Sequence, residues 1–346
     1  MRIRGFDGVR GISALLVVAT HLGFASLLER LGLSRLAPLC SGDAAVTFFF
    51  VLSGFLITTL LLGELASSGT ISLKHFLIRR ALRLYPLYYL VLGLVLVSGT
   101  LGFRGTNQTS AAYALLYSYN FIPRAAYDTW IGAFHTLAVE EHFYLVFPLS
   151  MFLFKTRRKL FLGLLFSYVL VVASGVPERV VRTLVPTLLD THFFDRWTPV
   201  AALPIALGCL LALAFDARPK PLFRFRRAVL LAGLTCYSAP VFYDHRLLTV
   251  AGCTLLTFAI VLNQESRWVR ALEAPPLCYL GKVSYGIYVW QAFFLTTGPH
   301  AVKGWPLPFP ANLALLALTV PLSFRLIEKP CLELKDRIGY RGAAAG

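Results

Sequence analysis

The sequence predicts an all-α, polytopic membrane protein: a bundle of about ten transmembrane helices with both termini cytoplasmic. Three observations carry this. Of the 346 residues, 57% are hydrophobic and only 14% charged, and the mean hydropathy is +0.68. A soluble domain carries about 25% charged residues, so an exterior this apolar must face lipid rather than water. Apolar runs of the length that crosses a hydrocarbon core of about 30 Å recur along the whole chain. Finally, Lys and Arg gather in alternate connections, the pattern of cytoplasmic loops. That pattern also accounts for the net charge of +16 without a nucleic-acid partner. The partner it implies is the lipid bilayer; it fixes no oligomeric state.

The apolar runs fall near 11–28, 44–63, 82–101, 134–154, 159–176, 198–215, 228–243, 247–262, 281–297 and 311–328. The first follows Arg2 and Arg4 in the manner of a secretory signal. It also contains Arg10 and His21 and lacks a clean small-residue cleavage site, so it reads as a retained helix. The runs at 228–262 are short and joined by Asp244-His245-Arg246. The stretch 110–122 is too short and polar to span, and an eleventh crossing there would move the later basic segments outside. No internal repeat is visible, which weighs against a transporter built from two related halves. The tail after Glu328 is short. The expectation is a single membrane domain over residues 1–346 with no appended soluble domain. The six cysteines are scattered, and their spacing suggests neither a disulfide framework nor a CxxC metal site.

An ionisable side chain in a membrane helix costs about 2.5–3.5 kcal/mol at the centre on insertion scales, so each invites a reason. Arg10 and His21 are eleven residues apart, which is three helical turns plus about 20°, or about 16 Å along one face. That geometry suits an extended ligand, anionic at the Arg10 end and reacting at His21. The plainer alternative makes Arg10 a cytoplasmic anchor and His21 a packed polar residue. Arg80 and Arg83 lie one turn apart in the basic segment Lys74-His75-Phe76-Leu77-Ile78-Arg79-Arg80-Ala81-Leu82-Arg83, where guanidinium forks suit phosphates. Solvated anchoring is again the plainer alternative. The costliest cluster is His135-Thr136-Leu137-Ala138-Val139-Glu140-Glu141-His142. Its carboxylates point about 100° apart, so one of them faces the interior. A metal site from His135, His142 and a glutamate is set aside because the spacing is not HExxH. Pairing of a glutamate with an arginine such as Arg325 is the structural alternative. Ser53 lacks the spacing of a nucleophile elbow and reads as a close-packing residue.

Taken in order, these pieces resemble the integral-membrane acyltransferase 3 family. The matching stretches are Phe6-Asp7-Gly8-Val9-Arg10-Gly11 with His21, Phe49-Phe50-Val51-Leu52-Ser53-Gly54-Phe55-Leu56-Ile57, and Arg79-Arg80 through Arg83 and Pro86. They continue with Leu137-Ala138-Val139-Glu140-Glu141-His142-Phe143-Tyr144 with Pro148, Leu280-Gly281-Lys282-Val283-Ser284-Tyr285-Gly286-Ile287-Tyr288, and Ile327-Glu328-Lys329-Pro330. The likeness runs from residue 6 to about 335 and is weakest between 155 and 275. It departs from the family pattern at His135, Thr136 and Gln291.

The resemblance implies a multi-pass protein of the bacterial inner membrane that moves an acyl group, acetyl foremost, from cytosolic acyl-CoA to a hydroxyl. The acceptor is a carbohydrate or a glycosylated small molecule, ranging in the family from cell-envelope polysaccharide to macrolide sugars. In the family's arginine–histidine motif the essential positions are here Arg10 and His21. The expected roles are His21 as general base, Glu140 as its supporting carboxylate, and Arg10, Arg80 and Arg83 as contacts of the acyl-CoA phosphates, with no metal. A transporter or flippase with a Glu140–His21 proton relay is the alternative.

Overall fold

The computed structural model describes residues 3–103, 105–155, 158–217, 223–241, 246–295 and 307–337. Of the positions singled out above, Arg2, Asp244 and His245 lie outside the described residues. Their regular structure is α-helix, with short 3₁₀ turns, one π turn and one isolated antiparallel bridge between Pro123 and His192. In chain order the helices are α1 Phe6–His21, α2 Phe24–Arg30, α3 Gly42–Ser68, α4 Leu73–Thr100, α5 Gln108–Leu115, α6 Phe134–Leu153 and α7 Arg158–Ala173. Next come α8 Val176–Leu184, α9 Pro186–Thr191, α10 Thr198–Ala201, α11 Leu203–Ala217, α12 Arg226–Ser238 and α13 Arg246–Leu262. The last are α14 Arg267–Ala271, α15 Pro275–Lys282, α16 Ser284–Leu295, α17 Ala311–Ser323 and α18 Lys329–Arg337.

They form two compact units, one from residues 3–59 and 203–288, the other from 60–202, 289–295 and 307–337. In the first unit small residues let backbones touch. A methyl group added at Gly8 of α1 would overlap the Leu272 carbonyl, one at Gly11 the Leu277 carbonyl, and one at Gly281 of α15 the Asp7 carbonyl. Glycines therefore line both sides of the α1–α15 contact, the device by which membrane helices associate where lipid gives no hydrophobic drive. The same device recurs between α3 and α11, where Gly54 lies under the Ile205 carbonyl and Gly208 under that of Val51. The close approach lies at Gly54, next to the Ser53 that the sequence suggested. The start of α1 is held by its neighbours: the Glu273 carboxylate accepts from the Gly5 N–H at 2.6 Å, and Gln264 Oε1 accepts from the Arg4 N–H at 2.9 Å. A carboxylate at that end also complements the helix dipole.

In the second unit α4 carries the packing. Tyr88 is fully buried, stacks on Tyr117 with ring centroids 4.0 Å apart, and donates its hydroxyl to the Ala114 carbonyl at 2.8 Å. Trp130 donates its indole N–H to the Phe293 carbonyl at 3.1 Å. The segment between α5 and α6 folds on itself through Tyr119, whose hydroxyl donates to the Asp128 carbonyl at 2.7 Å while accepting from the Asp128 N–H at 2.9 Å. Burial pushes this phenol well above its ordinary range, so it stays a donor. Residues 108–115 form only an eight-residue helix, too short to cross a bilayer.

Three described helical stretches are long and apolar enough to span: Ser34–Ser68, Leu73–Thr100 and Ala311–Leu334. Two bent pairs, α1 with α2 and α7 with α8, raise the number to five if each pair is one crossing. This is fewer than the ten apolar runs suggest, for physical reasons. Gly23 and Gly175 adopt left-handed φ and turn their helices by 68° and 59°. The stretches Leu203–Asp216 and Arg246–Leu262 are shorter than a full crossing, and the histidines and glutamates of α6 dilute its apolarity. The apolar run near 82–101 extends back through the basic segment: α4 starts at Leu73, and only residues 69–72 separate it from α3.

The contact at Gly8 and Gly281 makes a direct prediction. Gly8→Ala and Gly281→Ala should each destabilise the detergent-solubilised protein by about 1–3 kcal/mol, because backbone must move. Gly63→Ala on α3, with open space around it, should be neutral or stabilising by about 0.5–1 kcal/mol. Thermal unfolding followed by size-exclusion fluorescence separates the three.

Candidate active site

The helix α1 is unbroken from Phe6 to His21, so the sequence-predicted pair shares one rod. Arg10 is half-buried near its start and His21 is its final residue. On a helical wheel the positions between them on that face are Ala14 and Val17, exposed by only 0% and 3%. Ile12 and Leu15, on the far side, are exposed. The middle of the Arg10–His21 face is thus buried, Arg10 is half-buried and His21 is exposed. With that middle packed, the cation and the imidazole are reached from the two ends rather than along an open furrow.

Beyond His21 the chain bends at Gly23. A cavity of about 360 Å³ opens one residue from the imidazole, lined by Thr20, Phe24, Leu28, Ala37, Pro38 and Cys40 among others. The His21 side chain is exposed, and no hydrogen bond to it is found among the described residues. The other histidines near the candidate chemistry are engaged: His135 Nδ1–H donates to the Gly132 carbonyl at 2.6 Å, and His142 Nδ1 meets Thr198 Oγ1 at 2.7 Å.

The remaining predicted residues lie in the second unit and form one cluster. Arg80 projects from α4 with its guanidinium over the Tyr144 ring of α6 at 4.9 Å and the Phe76 ring at 5.5 Å. Arg83, Glu140 and Glu141 are its charged neighbours. Of the two adjacent glutamates, Glu141 is the buried one, at 5% exposure, and Glu140 is half-buried. Glu141 Oε2 accepts from the Tyr85 hydroxyl at 3.2 Å; its Oε1 has no hydrogen-bond partner among the described residues. The arginine beside the glutamates is Arg80, whereas Arg325 is exposed. The pairing suggested for Arg325 is replaced because α4, not the last helix, presents a cation to this part of α6.

Several polar residues join the picture that sequence reasoning did not single out. Glu64, on the apolar α3, is buried, accepts from the Ser72 N–H at 2.9 Å and pairs with Arg79 at 3.7 Å, fixing the tight α3–α4 turn. Its signal was available as a lone carboxylate at the end of an apolar run. Tyr85 gave no such signal, since aromatic residues abound in membrane helices. Asn120 and Thr198, far apart in sequence, meet at 3.0 Å and connect to His142. Gln291, at a position departing from the family pattern, is fully buried with neither amide atom hydrogen-bonded among the described residues.

With this geometry in place, comparison with known proteins is informative. The acyltransferase domain of the acyltransferase 3 family matches residues 3–328. The chain belongs to that family. It is 28% identical to the peptidoglycan O-acetyltransferase OatA of Listeria monocytogenes over 95% of this chain and 55% of the relative. It is 27% identical to the putative peptidoglycan O-acetyltransferase YrhL of Bacillus subtilis over 95% of this chain and 54% of the relative. A putative O-acetyltransferase of Staphylococcus aureus is 26% identical over 95% and 57% respectively. The chain therefore spans a little more than half the length of these curated relatives. No solved structure matches it.

Removing one partner of a buried charged pair leaves the other uncompensated. Arg80→Met and Glu141→Ala should each lower stability, and the double variant should cost less than their sum by about 1–3 kcal/mol. A double-mutant cycle on unfolding temperature measures that coupling, and additive losses would show that the two residues act independently.

Proposed function

We propose that this chain is a membrane O-acyltransferase that moves an acyl group, acetyl foremost, from cytosolic acyl-CoA to a hydroxyl of a carbohydrate. In this reading the acceptor is a cell-envelope glycan of the peptidoglycan kind, which is what the names of two relatives describe. The protein crosses the bacterial inner membrane about ten times with both termini cytosolic, its shorter helices accommodated within the bundle. The observation that supports the reading most is the exposed, uncommitted imidazole of His21 closing an apolar helix that opens on Arg10. An imidazole set at the end of an apolar helix, with no hydrogen bond to it among the described residues, has a reason to be there if a substrate engages it.

In the proposed reaction the acceptor O–H gives its proton to His21 as its oxygen attacks the thioester carbonyl. The new C–O bond forms, the C–S bond breaks, and the proton passes to the departing CoA sulfur. A histidine near neutral pKa suits both halves of this transfer. Arg10, Arg80 and Arg83 supply the cations for the donor's phosphates, with Arg fork geometry favouring phosphate oxygens. Because Ala14 and Val17 fill the middle of the α1 face, the donor's arm passes beside α1 rather than along it. Glu140 is the carboxylate proposed to support the cationic imidazole.

Two variants test this with purified protein, labelled acetyl-CoA and a glycan acceptor. His21→Ala should lose about 10²–10⁴-fold in kcat, the usual contribution of a general base, with donor KM nearly unchanged. Arg10→Ala should instead raise donor KM about tenfold, the weight of one charged hydrogen bond. Wild-type turnover by folded His21→Ala protein would overturn the mechanism.

A further inference from the structure

Beside α6 the second unit holds a cluster of rings and polar atoms that the donor chemistry does not use. The segment after α5 enters α6 at Phe134, which packs on Tyr88, whereas Tyr144 further along α6 lies under Arg80. Before that entry the segment runs beside α6, where Phe121 stacks on the His142 ring with centroids 5.5 Å apart. There it meets the turn between α9 and α10. Pro123 and His192 form the antiparallel bridge, and Arg124 Nε donates to the His192 carbonyl at 3.0 Å.

Two features of this cluster point to a ligand. The first is its rings. Trp197 is half-buried and meets Phe121 edge-on at 5.5 Å. Phe193 lies under two guanidinium groups, Arg124 at 4.3 Å and Arg196 at 4.0 Å, and Arg196 also covers Tyr127 at 4.6 Å. The second is its unpaired polar atoms. Arg196 Nη1, Trp197 Nε1 and Asn120 Oδ1 are buried with no hydrogen-bond partner among the described residues. Asn120 is only 1% exposed, and its amide is anchored by donation at 3.0 Å to Oγ1 of Thr198, the residue after Trp197. An aromatic belt at a membrane surface accounts for the rings. It does not account for three buried donors and acceptors left unmet in two adjoining turns, since each then carries its full desolvation penalty.

From this placement we propose that residues 120–127 and 193–198 form the binding site of the glycan acceptor, a sugar ring packing on Trp197 with its hydroxyls on Arg196, Trp197 and Asn120. This rests on the carbohydrate acceptor given above. Trp and Tyr join an apolar face to a polar tip, which matches a sugar's C–H face and its rim of hydroxyls. Each hydroxyl both donates and accepts, so one sugar serves two donors and an acceptor together. The formal charges of Arg124 and Arg196 are balanced in these turns by Asp128 and Asp195, which suits a neutral sugar rather than a phosphate. Stacking on rings holds the Arg196 fork in place for it. The site ends at His142, whose Nδ1 meets Thr198 Oγ1 at 2.7 Å. His142 is two residues from Tyr144, the ring under Arg80, so the glycan reaches along α6 toward the level of the α4 cations.

The test titrates the purified, detergent-solubilised protein with the tetramer of N-acetylglucosamine, without any acyl donor, by isothermal calorimetry. The wild type should bind saturably. Trp197→Ala, Arg196→Met and Asn120→Ala should each weaken binding about tenfold, the weight of one buried hydrogen bond. Trp197→Phe keeps a ring and drops the N–H; it should fall between wild type and Trp197→Ala, and it carries the comparison if another variant fails to fold. In turnover with labelled acetyl-CoA these variants should raise acceptor KM about tenfold and leave donor KM within about twofold. Equal affinity across wild type and variants, or no saturable binding by the wild type, overturns the site. Acetyl transfer with an acceptor KM that no variant moves also overturns it, and leaves the acyltransferase reading standing. Tetramer binding that the variants weaken, in a protein that transfers nothing from acetyl-CoA, keeps the site and overturns the acyltransferase reading.

Discussion

The second unit depends on charge that apolar helices have withdrawn from water. Arg80 and Arg83 on α4 sit among Glu140, Glu141 and Glu328, and neither sign is tolerable there alone. Desolvating an ion costs several kcal/mol even after relaxation, so each guanidinium and carboxylate needs the others in place. The cluster lies where α4 and α6 pack together, and Glu328 ends the π turn before α18. The same requirement explains why Tyr144, Phe76 and Tyr85 surround the cluster: aromatic faces and a phenol are the neighbours that hold cation and carboxylate without bulk water.

Against that background His21 is the exception. Arg80, Glu141, Glu328, His135 and His142 all have roles in holding the fold. The imidazole at the end of α1 makes no hydrogen bond among the described residues, and the neighbouring Thr20 lines a cavity. The first unit spends its glycines on clamping α1 to α15, which secures the rod at Gly8 and Gly11 and leaves its far end accessible. Rigid placement of an imidazole is what the proposed general-base role asks of a protein.

Much of this was legible in the sequence because membrane proteins make their exceptions conspicuous. The all-helical class followed from composition, and the shared face of Arg10 and His21 followed from spacing. The Glu140-Glu141 cluster stood out by its cost. What the sequence could not show is instructive. Which glutamate is buried depends on the rotation of α6 against α4, a packing outcome that leaves no periodic trace. The helical extension of α4 back to Leu73 was hidden because basic residues read equally well as loop or as helix end. Glu328 carried a motif resemblance, but its charged neighbour Arg83 lies some 245 positions away, a distance only tertiary structure closes. The packed Ala14 and Val17 could not be foreseen from spacing, since small apolar residues line open grooves and closed seams alike.

The central claim is that His21 is the one imidazole of this machinery left open for the acyl donor. Its reactivity toward an imidazole-acylating reagent such as diethyl pyrocarbonate, followed residue by residue by mass spectrometry on the folded protein, tests this most directly. The account predicts that His21 is modified well before His135 and His142, and that saturating acetyl-CoA slows its modification alone. An inert His21, or one modified at the same rate with and without the donor, would contradict it.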